Sequence, residues 1–293
     1  MSAPKVWLDY DQAALDKQYN SRGTVPDAMV YLRDYAERTQ AAKAQLACTE
    51  SVAYGPGDND KLDIYPAAQA GAPVMVFLHG GDWRALSKED SGFVASSLVP
   101  AGVTVVVPDF DLIPNTTIEA MGAQVRRVLA WVHQYIASHG GDPARIFIAG
   151  HSSGANLASQ LLTTRWPEDF GLPADLIKGA VFMSGLGDLE PVRLSFRNAY
   201  LKLDPAMVAR TSLLACPQAP CNCPLLVMVA GLENDEYKRQ SRAVAQYWAN
   251  LGRPSRFMEL AGCNHFNGVL AWLEPQGTPF QATLAMMGLR PPV

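Results

Sequence analysis

Between residues 74 and 260 the chain repeats one arrangement: a short, unbroken apolar run, then a stretch whose apolar residues recur at helical spacing. Runs apolar at every position are strands buried on both faces, and such strands require a mostly parallel sheet with helices covering each side. The expected strands are Val74 to His79, Val103 to Pro108, Arg145 to Ala149, Ala180 to Ser184, Leu225 to Ala230 and Arg256 to Leu260, with Lys61 to Pro66 before them as an edge strand. The expected helices between them are Glu89 to Leu98, Thr117 to Ser138, Gly154 to Thr164, Glu236 to Leu251 and Phe266 to Leu273. No run approaches the ~20 residues needed to cross a bilayer, so no membrane association is expected.

Two segments stand outside this rhythm. Residues 8–47 read as a helical extension of two helices, broken at Ser21 to Pro26. Residues 185–224 form a long insertion with a helix near Pro205 to Ala209, and an insertion of that length above the C-terminal edge of a sheet reads as a lid or pocket wall. Neither a repeat nor a low-complexity linker divides the chain, so residues 1–293 are expected to form a single α/β domain.

Composition narrows the function classes. With 28 acidic against 24 basic residues and a net charge of -4, the chain offers no positive field for a phosphate backbone, and no nucleic-acid partner is expected. The five cysteines are odd in number, in a chain too large to need a disulfide framework, and are expected to be reduced. Cys216, Cys221 and Cys223 lack both the paired spacing of a metal site and a nearby histidine, so neither a metal nor another cofactor is expected. Met1 to Gln18 has neither the basic start nor the apolar block of a secretory leader, which gives a cytoplasmic expectation. A small-molecule substrate remains as the expected partner, and a homodimer is left open.

The chemistry concentrates at three strand ends. Gly150-His151-Ser152-Ser153-Gly154 lies where a strand ends and a helix begins, a turn so tight that glycine is needed two residues before and two after the serine. That turn lifts the Ser152 hydroxyl off the sheet as a nucleophile. Upstream, the strand ending at Leu78 runs into His79-Gly80-Gly81-Asp82-Trp83, where the backbone N–H groups of Gly80 and Gly81, with that of Ser153, can bind an oxyanion. A serine hydroxyl needs a base. Of the five histidines, His133 and His139 lie on a helix, His79 in the oxyanion loop and His151 in the elbow, which leaves His265 at the last strand-to-helix turn. The acid is expected in Gly231-Leu232-Glu233-Asn234-Asp235-Glu236. Glu233, nearest the strand end, is favoured; Asp235 is the alternative, its other role being to cap the following helix. Trp83 stands beside the oxyanion loop, either to stack on an aromatic substrate or as wall packing.

These pieces, together with Tyr19-Asn20, Leu62-Asp63-Ile64-Tyr65-Pro66, Arg239-Gln240-Ser241 and Asn264-His265-Phe266, resemble the α/β-hydrolase fold and, within it, the kynurenine formamidase (arylformamidase) and related esterase family. The resemblance implies Ser152 as nucleophile, Glu233 as acid, His265 as base, and Gly80, Gly81 and Ser153 as oxyanion donors. It also implies pocket-closing roles for Tyr19, Asn20 and the segment Gly185 to Tyr200. The acid position departs from the pattern, since formamidases of this type often carry aspartate where Glu233 stands. The expected activity is metal-independent hydrolysis of a small acyl amide or ester through an acyl-serine intermediate. The alternatives are a general short-chain carboxylesterase, an acyltransferase and a non-catalytic binding protein on the same fold.

Overall fold

The apolar runs form the centre of an eight-stranded sheet in the computed structural model, which describes residues 3–289. The strands are β1 (Lys5–Trp7), β2 (Tyr10–Asp11), β3 (Thr49–Ala53), β4 (Lys61–Tyr65), β5 (Ala72–Leu78), β6 (Thr104–Pro108), β7 (Gly141–His151), β8 (Ile177–Met183), β9 (Leu225–Ala230) and β10 (Ser255–Leu260). The main sheet runs β10-β9-β8-β7-β5-β6-β4-β3, parallel from β10 to β6, with β4 antiparallel to both of its neighbours. Every residue of β5, β6 and β9 is buried.

Alternation along β5 shows how the two faces are filled. Val74, Val76 and Leu78 join a core with the helices Ile118–Tyr135, Ser153–Leu162 and Asp235–Asn250. Met75 and Phe77 point the other way, into a core with Tyr35, Phe93, Trp272 and Phe280. Among the described residues no helix is long and apolar enough to cross a membrane.

The fold departs from the sequence reading in several places. Lys61–Tyr65 is not the edge strand: Thr49–Ala53 pairs outside it. That outer strand carries no apolar run, since four of its five residues are exposed, and it is held by backbone pairing. The N-terminal extension opens with the hairpin β1–β2 before the helices Gln12–Gln18 and Ala28–Gln45. The stretch 89–98 is two 3-10 turns, Lys88–Asp90 and Gly92–Val94, followed by the short helix Ala95–Leu98. Gly92 sits so close to Tyr65 that a Cβ there would meet the phenol oxygen at 2.2 Å. A further helix, Thr278–Met286, follows the expected last one, and within residues 185–224 the chain forms helices Glu190–Leu194, Asn198–Leu201 and Pro205–Thr211. Cys221 and Cys223 are buried core side chains, and Trp248 Nε1 donates to the Cys223 carbonyl.

Asp63, from the Leu62-Asp63-Ile64 stretch, ties the N-terminal extension to the sheet. It is fully buried, with Lys43 Nζ 3.0 Å from Oδ2 and Lys88 Nζ 3.1 Å from Oδ1, while Ser51 N–H donates to Oδ1 at 2.8 Å. Glu50, Asp63 and Glu89 lie close enough together to share a cation, and the two lysine ammonium groups among them already offset two of the three charges. Asp63→Ala leaves two largely buried lysines with only the more exposed Glu50 and Glu89 as partners and should destabilise the fold by about 2–3 kcal/mol. Urea unfolding at pH 7 checks this; a loss below about 1 kcal/mol would mean that water satisfies the lysines.

Candidate active site

Strand register brings distant turns together. Leu78 on β5 pairs with Gly150 on β7, so the turns that start at His79 and at Ser152 emerge side by side. His151 pairs with Met183 on β8, Met183 with Met228 on β9, and Ala230 with Leu260 on β10. All of these turns open at the C-terminal edge of the parallel strands, where open α/β sheets bind ligands.

Ser152 stands at φ 57°, ψ -124° between β7 and the helix Ser153–Leu162. The flanking glycines are required by space. A Cβ at Gly150 would lie 2.3 Å from the Gly154 carbonyl oxygen, and one at Gly154 would lie 2.1 Å from that of Leu78. Ser152 N–H donates to the Met183 carbonyl at 2.9 Å, which fastens the turn to β8.

From this turn Ser152 Oγ reaches His265 Nε2 at 2.9 Å, and His265 Nδ1 is in a short hydrogen bond to Glu233 Oε1. A carboxylate only accepts, so Nδ1 carries the proton and Nε2 is free to accept from the serine hydroxyl. The ring is held by Tyr237, edge-on at 4.9 Å between centroids, and by Phe266 at 5.4 Å. The other Glu233 oxygen accepts from Ser184 Oγ at 2.6 Å and from Ala230 N–H at 2.8 Å. Burial alone would raise the Glu233 pKa, but the electrostatic attraction of the His265 ring and the hydrogen bonds from His265, Ser184 and Ala230 outweigh it and hold the carboxyl below the usual glutamate range. A hydroxyl, an imidazole and a carboxylate linked in this order can pass a proton from oxygen to nitrogen while the carboxylate stabilises the resulting imidazolium.

The backbone N–H groups of Gly80, Gly81 and Ser153 donate to no acceptor among the described residues. Gly80 is close to the serine, for a Cβ on it would lie 3.1 Å from Ser152 Cβ. Gly81 has φ 105°, and a side chain there would strike the Ala85 carbonyl. The other two histidines of the region stay neutral. Burial pushes His79 down to about 4 and His151 down to about 3, the latter helped by repulsion from His265. Their ring N–H groups serve as struts: His79 Nδ1 donates to the Gly80 carbonyl and His151 Nε2 to the His265 carbonyl.

One cavity borders the serine and a second adjoins the first. A space of about 40 Å³ is lined by Ser152, His151, His265, Leu32, Tyr35, Leu86 and Phe266, among others. Beside it lies a polar cavity of about 350 Å³, walled by Tyr19, Asn20, Arg84, Phe196, Arg197 and Tyr200, and both share Ser21, Arg22, Gly81, Asp82 and Ala85.

Ser152, Glu233, His265, Gly80, Gly81 and Ser153, picked out from the sequence, are thus brought together. Trp83 is not at the cleft surface. With φ 58° its indole turns into the core, 1% exposed, so of its two expected roles only wall packing is available. Tyr19 is fully buried and its hydroxyl is engaged, donating to Glu236 at 2.8 Å and accepting from Gln240 at 2.9 Å, so only its ring borders the polar cavity. Asn20 is exposed at the cavity's rim and caps a 3-10 turn through Gly23 N–H. Asp235 is an exposed first-turn residue of the helix Asp235–Asn250, whose N-cap is Asn234. Ser184, Tyr237 and Arg197 escaped the sequence reading. For Ser184 a signal existed, a hydroxyl residue ending the strand next to the serine turn.

Residues 75–267 match the model of a family described by its α/β-hydrolase fold. The chain is 31% identical over 299 residues to a kynurenine formamidase of Salmo salar, covering 96% of this chain and 98% of that one. It is 29% identical to a kynurenine formamidase of Danio rerio, covering 91% and 90%. Among solved structures it is similar to esterase LipW of Mycobacterium marinum, with TM-score 0.69, 21% identity and coverage of 96% and 90%.

The neutral buried histidines have a thermodynamic consequence. In the unfolded chain both protonate near 6.5, whereas in the folded protein they stay neutral down to about 4 and about 3. Between these values the unfolded state binds more protons, so stability should fall as pH drops from about 6.5, by about 1.4 kcal/mol per pH unit for each group. The depressed Glu233 pKa adds a further loss in acid below the usual glutamate range, where the unfolded carboxyl protonates first. Urea unfolding at stepped pH from 7 to 4.5 should show this slope, reduced in His79→Gln; a flat profile would contradict neutral burial.

Proposed function

The chain belongs to the α/β-hydrolase family and is a hydrolase of the formamidase and esterase kind, and from that premise we propose that it removes a small acyl group, formyl being the smallest, from an aromatic amide or ester through an acyl-Ser152 intermediate. The observation that carries the proposal is the continuous relay from Ser152 through His265 to Glu233, placed beside three unengaged backbone N–H groups. In this reading Ser152 Oγ attacks the carbonyl carbon while its proton passes to His265 Nε2. The carbonyl oxygen, now negative, takes hydrogen bonds from the N–H groups of Gly80, Gly81 and Ser153. Collapse of the tetrahedral adduct breaks the bond to nitrogen or oxygen, and His265 returns the proton to the departing amine or alcohol. Water, activated by His265, then attacks the acyl carbon, releases the carboxylic acid and restores the Ser152 hydroxyl. Every step uses side chains and backbone of this chain, with no metal assigned a part.

Cavity sizes support a short acyl group. The space beside Ser152, about 40 Å³, is far smaller than the adjoining cavity of about 350 Å³, which supports placing the smaller, acyl side of the substrate there. The 350 Å³ polar cavity is large enough for an aromatic leaving group. Its wall includes Phe196, Arg197 and Tyr200, and this supports reading residues 185–224 as a pocket wall within one domain.

Ser152→Ala and His265→Ala should each lower kcat by about 10⁴-fold or more, and the double variant should lose little beyond either single one, because the relay acts as a unit. Glu233→Gln should cost about 10³-fold by favouring the wrong imidazole tautomer, while Asp235→Asn stays within about threefold. Steady-state hydrolysis of an aryl acetate measures all of these; multiplicative losses, or a larger effect at Asp235, would overturn the assigned roles.

The acyl preference is tested separately with phenyl esters from formyl to hexanoyl, run beside N-formyl aryl amines. From propionyl onward kcat/KM should fall by about tenfold or more per methylene, and Leu86→Ala should move that cutoff to longer chains. Rising efficiency out to hexanoyl would contradict the small acyl space, and ester turnover without formamide turnover would favour the short-chain carboxylesterase reading.

A further inference from the structure

We infer that Arg197 is a positioning residue for the oxyanion turn: it neutralises the Asp82 carboxylate, which would otherwise oppose the negative charge forming at the neighbouring N–H groups. The inference rests on the acyl-Ser152 reading. Asp82 directly follows the Gly80–Gly81 pair, and a carboxylate is an unfavourable side chain at that position. A unit charge of the same sign within about 8 Å of an oxyanion slows its formation by on the order of tenfold or more at intermediate dielectric. Something has to offset it.

Arg197 lies in the segment 185–224 and reaches across the cavity wall, so that its Nη2 lies 3.0 Å from Asp82 Oδ1 and donates to the Tyr237 hydroxyl at 3.1 Å. The guanidinium is 1% exposed, and among the described residues its Nε and Nη1 find no partner. A charge buried so completely is held only by its compensation, and here that falls to Asp82, Tyr237 and the face of Tyr19, whose ring centroid is 5.8 Å away. Burial opposes the charge, but Asp82 and Tyr237 outweigh it and keep the guanidinium pKa above its ordinary value.

The turn itself needs an outer support. Gly81 takes φ 105° at no cost, but Asp82 and Trp83 follow at φ 57° and 58°, two successive residues in a region that persists only where the surroundings hold it. On the inner side Trp83 N–H donates to Ser153 Oγ at 3.2 Å, and the Trp83 carbonyl accepts from Ile113 N–H at 2.9 Å. On the outer side, among the described residues, Arg197 is the side chain that binds Asp82. Tyr237, the second partner of Arg197, is the ring packed edge-on against His265. One guanidinium therefore touches the supports of both the oxyanion turn and the base.

The test compares Arg197→Gln, Arg197→Lys, Asp82→Asn and the double variant Arg197→Gln/Asp82→Asn in phenyl acetate hydrolysis, with thermal unfolding measured in parallel. Arg197→Gln should lower kcat by about 10- to 100-fold with KM within about threefold, since it exposes the oxyanion to an unpaired carboxylate. Asp82→Asn keeps an oxygen to accept from Arg197 and removes the charge, so it should lower the unfolding temperature while costing far less kcat than Arg197→Gln. In the double variant kcat should return to within about fivefold of the parent, and Arg197→Lys should retain most of the activity. A purely mechanical clamp gives another pattern: the double variant stays as slow as Arg197→Gln, and kcat tracks unfolding temperature across the set. That pattern, or an unchanged kcat in Arg197→Gln, overturns the inference; if Arg197→Gln does not fold, the double variant decides, a kcat more than about tenfold below the parent overturning the inference. Stoichiometric labelling of the parent enzyme by a fluorophosphonate, lost in Ser152→Ala, tests the underlying reading independently, so the two failures are distinguishable.

Discussion

The backbone of Ser152 holds a conformation that costs on the order of 1–3 kcal/mol for a residue with a side chain, and the surrounding fold is arranged to sustain it. The Met183 carbonyl takes the Ser152 N–H from one side, and on the other the Leu78 and His79 carbonyls press so near Gly154 that no larger residue fits. Both contacts exist only because β5, β7 and β8 are adjacent and in parallel register. The same register delivers the His79 turn, Ser184 and, one strand further on, Glu233 to the side chain of the serine. Continuous apolar runs make the strands, the strands set the register, and the register assembles a site from residues as far apart as Gly80 and His265.

Charge around the site is handled by pairing or by suppression. Glu233 is buried and ionised because His265, Ser184 and Ala230 all donate to it. Glu236, fully buried one turn later, is answered by Arg239 and the Tyr19 hydroxyl. His79 and His151 hold rings against the same carbonyl-rich turns without charge, because burial suppresses their protonation. Tyr19, which the resemblance implied as a pocket residue, belongs chiefly to this charge network.

Much of this was legible in the sequence, for identifiable reasons. Two glycines at fixed distance from Ser152 express a steric requirement that no other residue meets, and His265 was isolated by elimination among only five histidines. Glu233 could be favoured over Asp235 from its nearness to the strand end, and the hydrogen bond from Ser184 at 2.6 Å adds a reason that lies in the adjacent strand. What the sequence concealed depends on partners remote in the chain or on backbone sign. Arg197 pairs with Asp82 across more than a hundred residues of irregular segment and sheet. Trp83 looked available to a substrate until its left-handed φ turned the indole inward. Thr49–Ala53 lacked an apolar run because an edge strand held by backbone pairing needs none.

The central claim is that the acyl group passes through a covalent bond to Ser152. Rapid acid quenching during turnover of an aryl acetate, followed by intact-mass measurement and peptide mapping, tests it directly. The expected result is a transient population of protein heavier by one acetyl group, located on the peptide carrying Ser152, whose decay matches the rate of acid release and which is absent in Ser152→Ala. Full turnover with no acylated protein at any quench time, under conditions where a burst of phenol shows that deacylation is slow, would contradict it, as would an acyl group found on another residue.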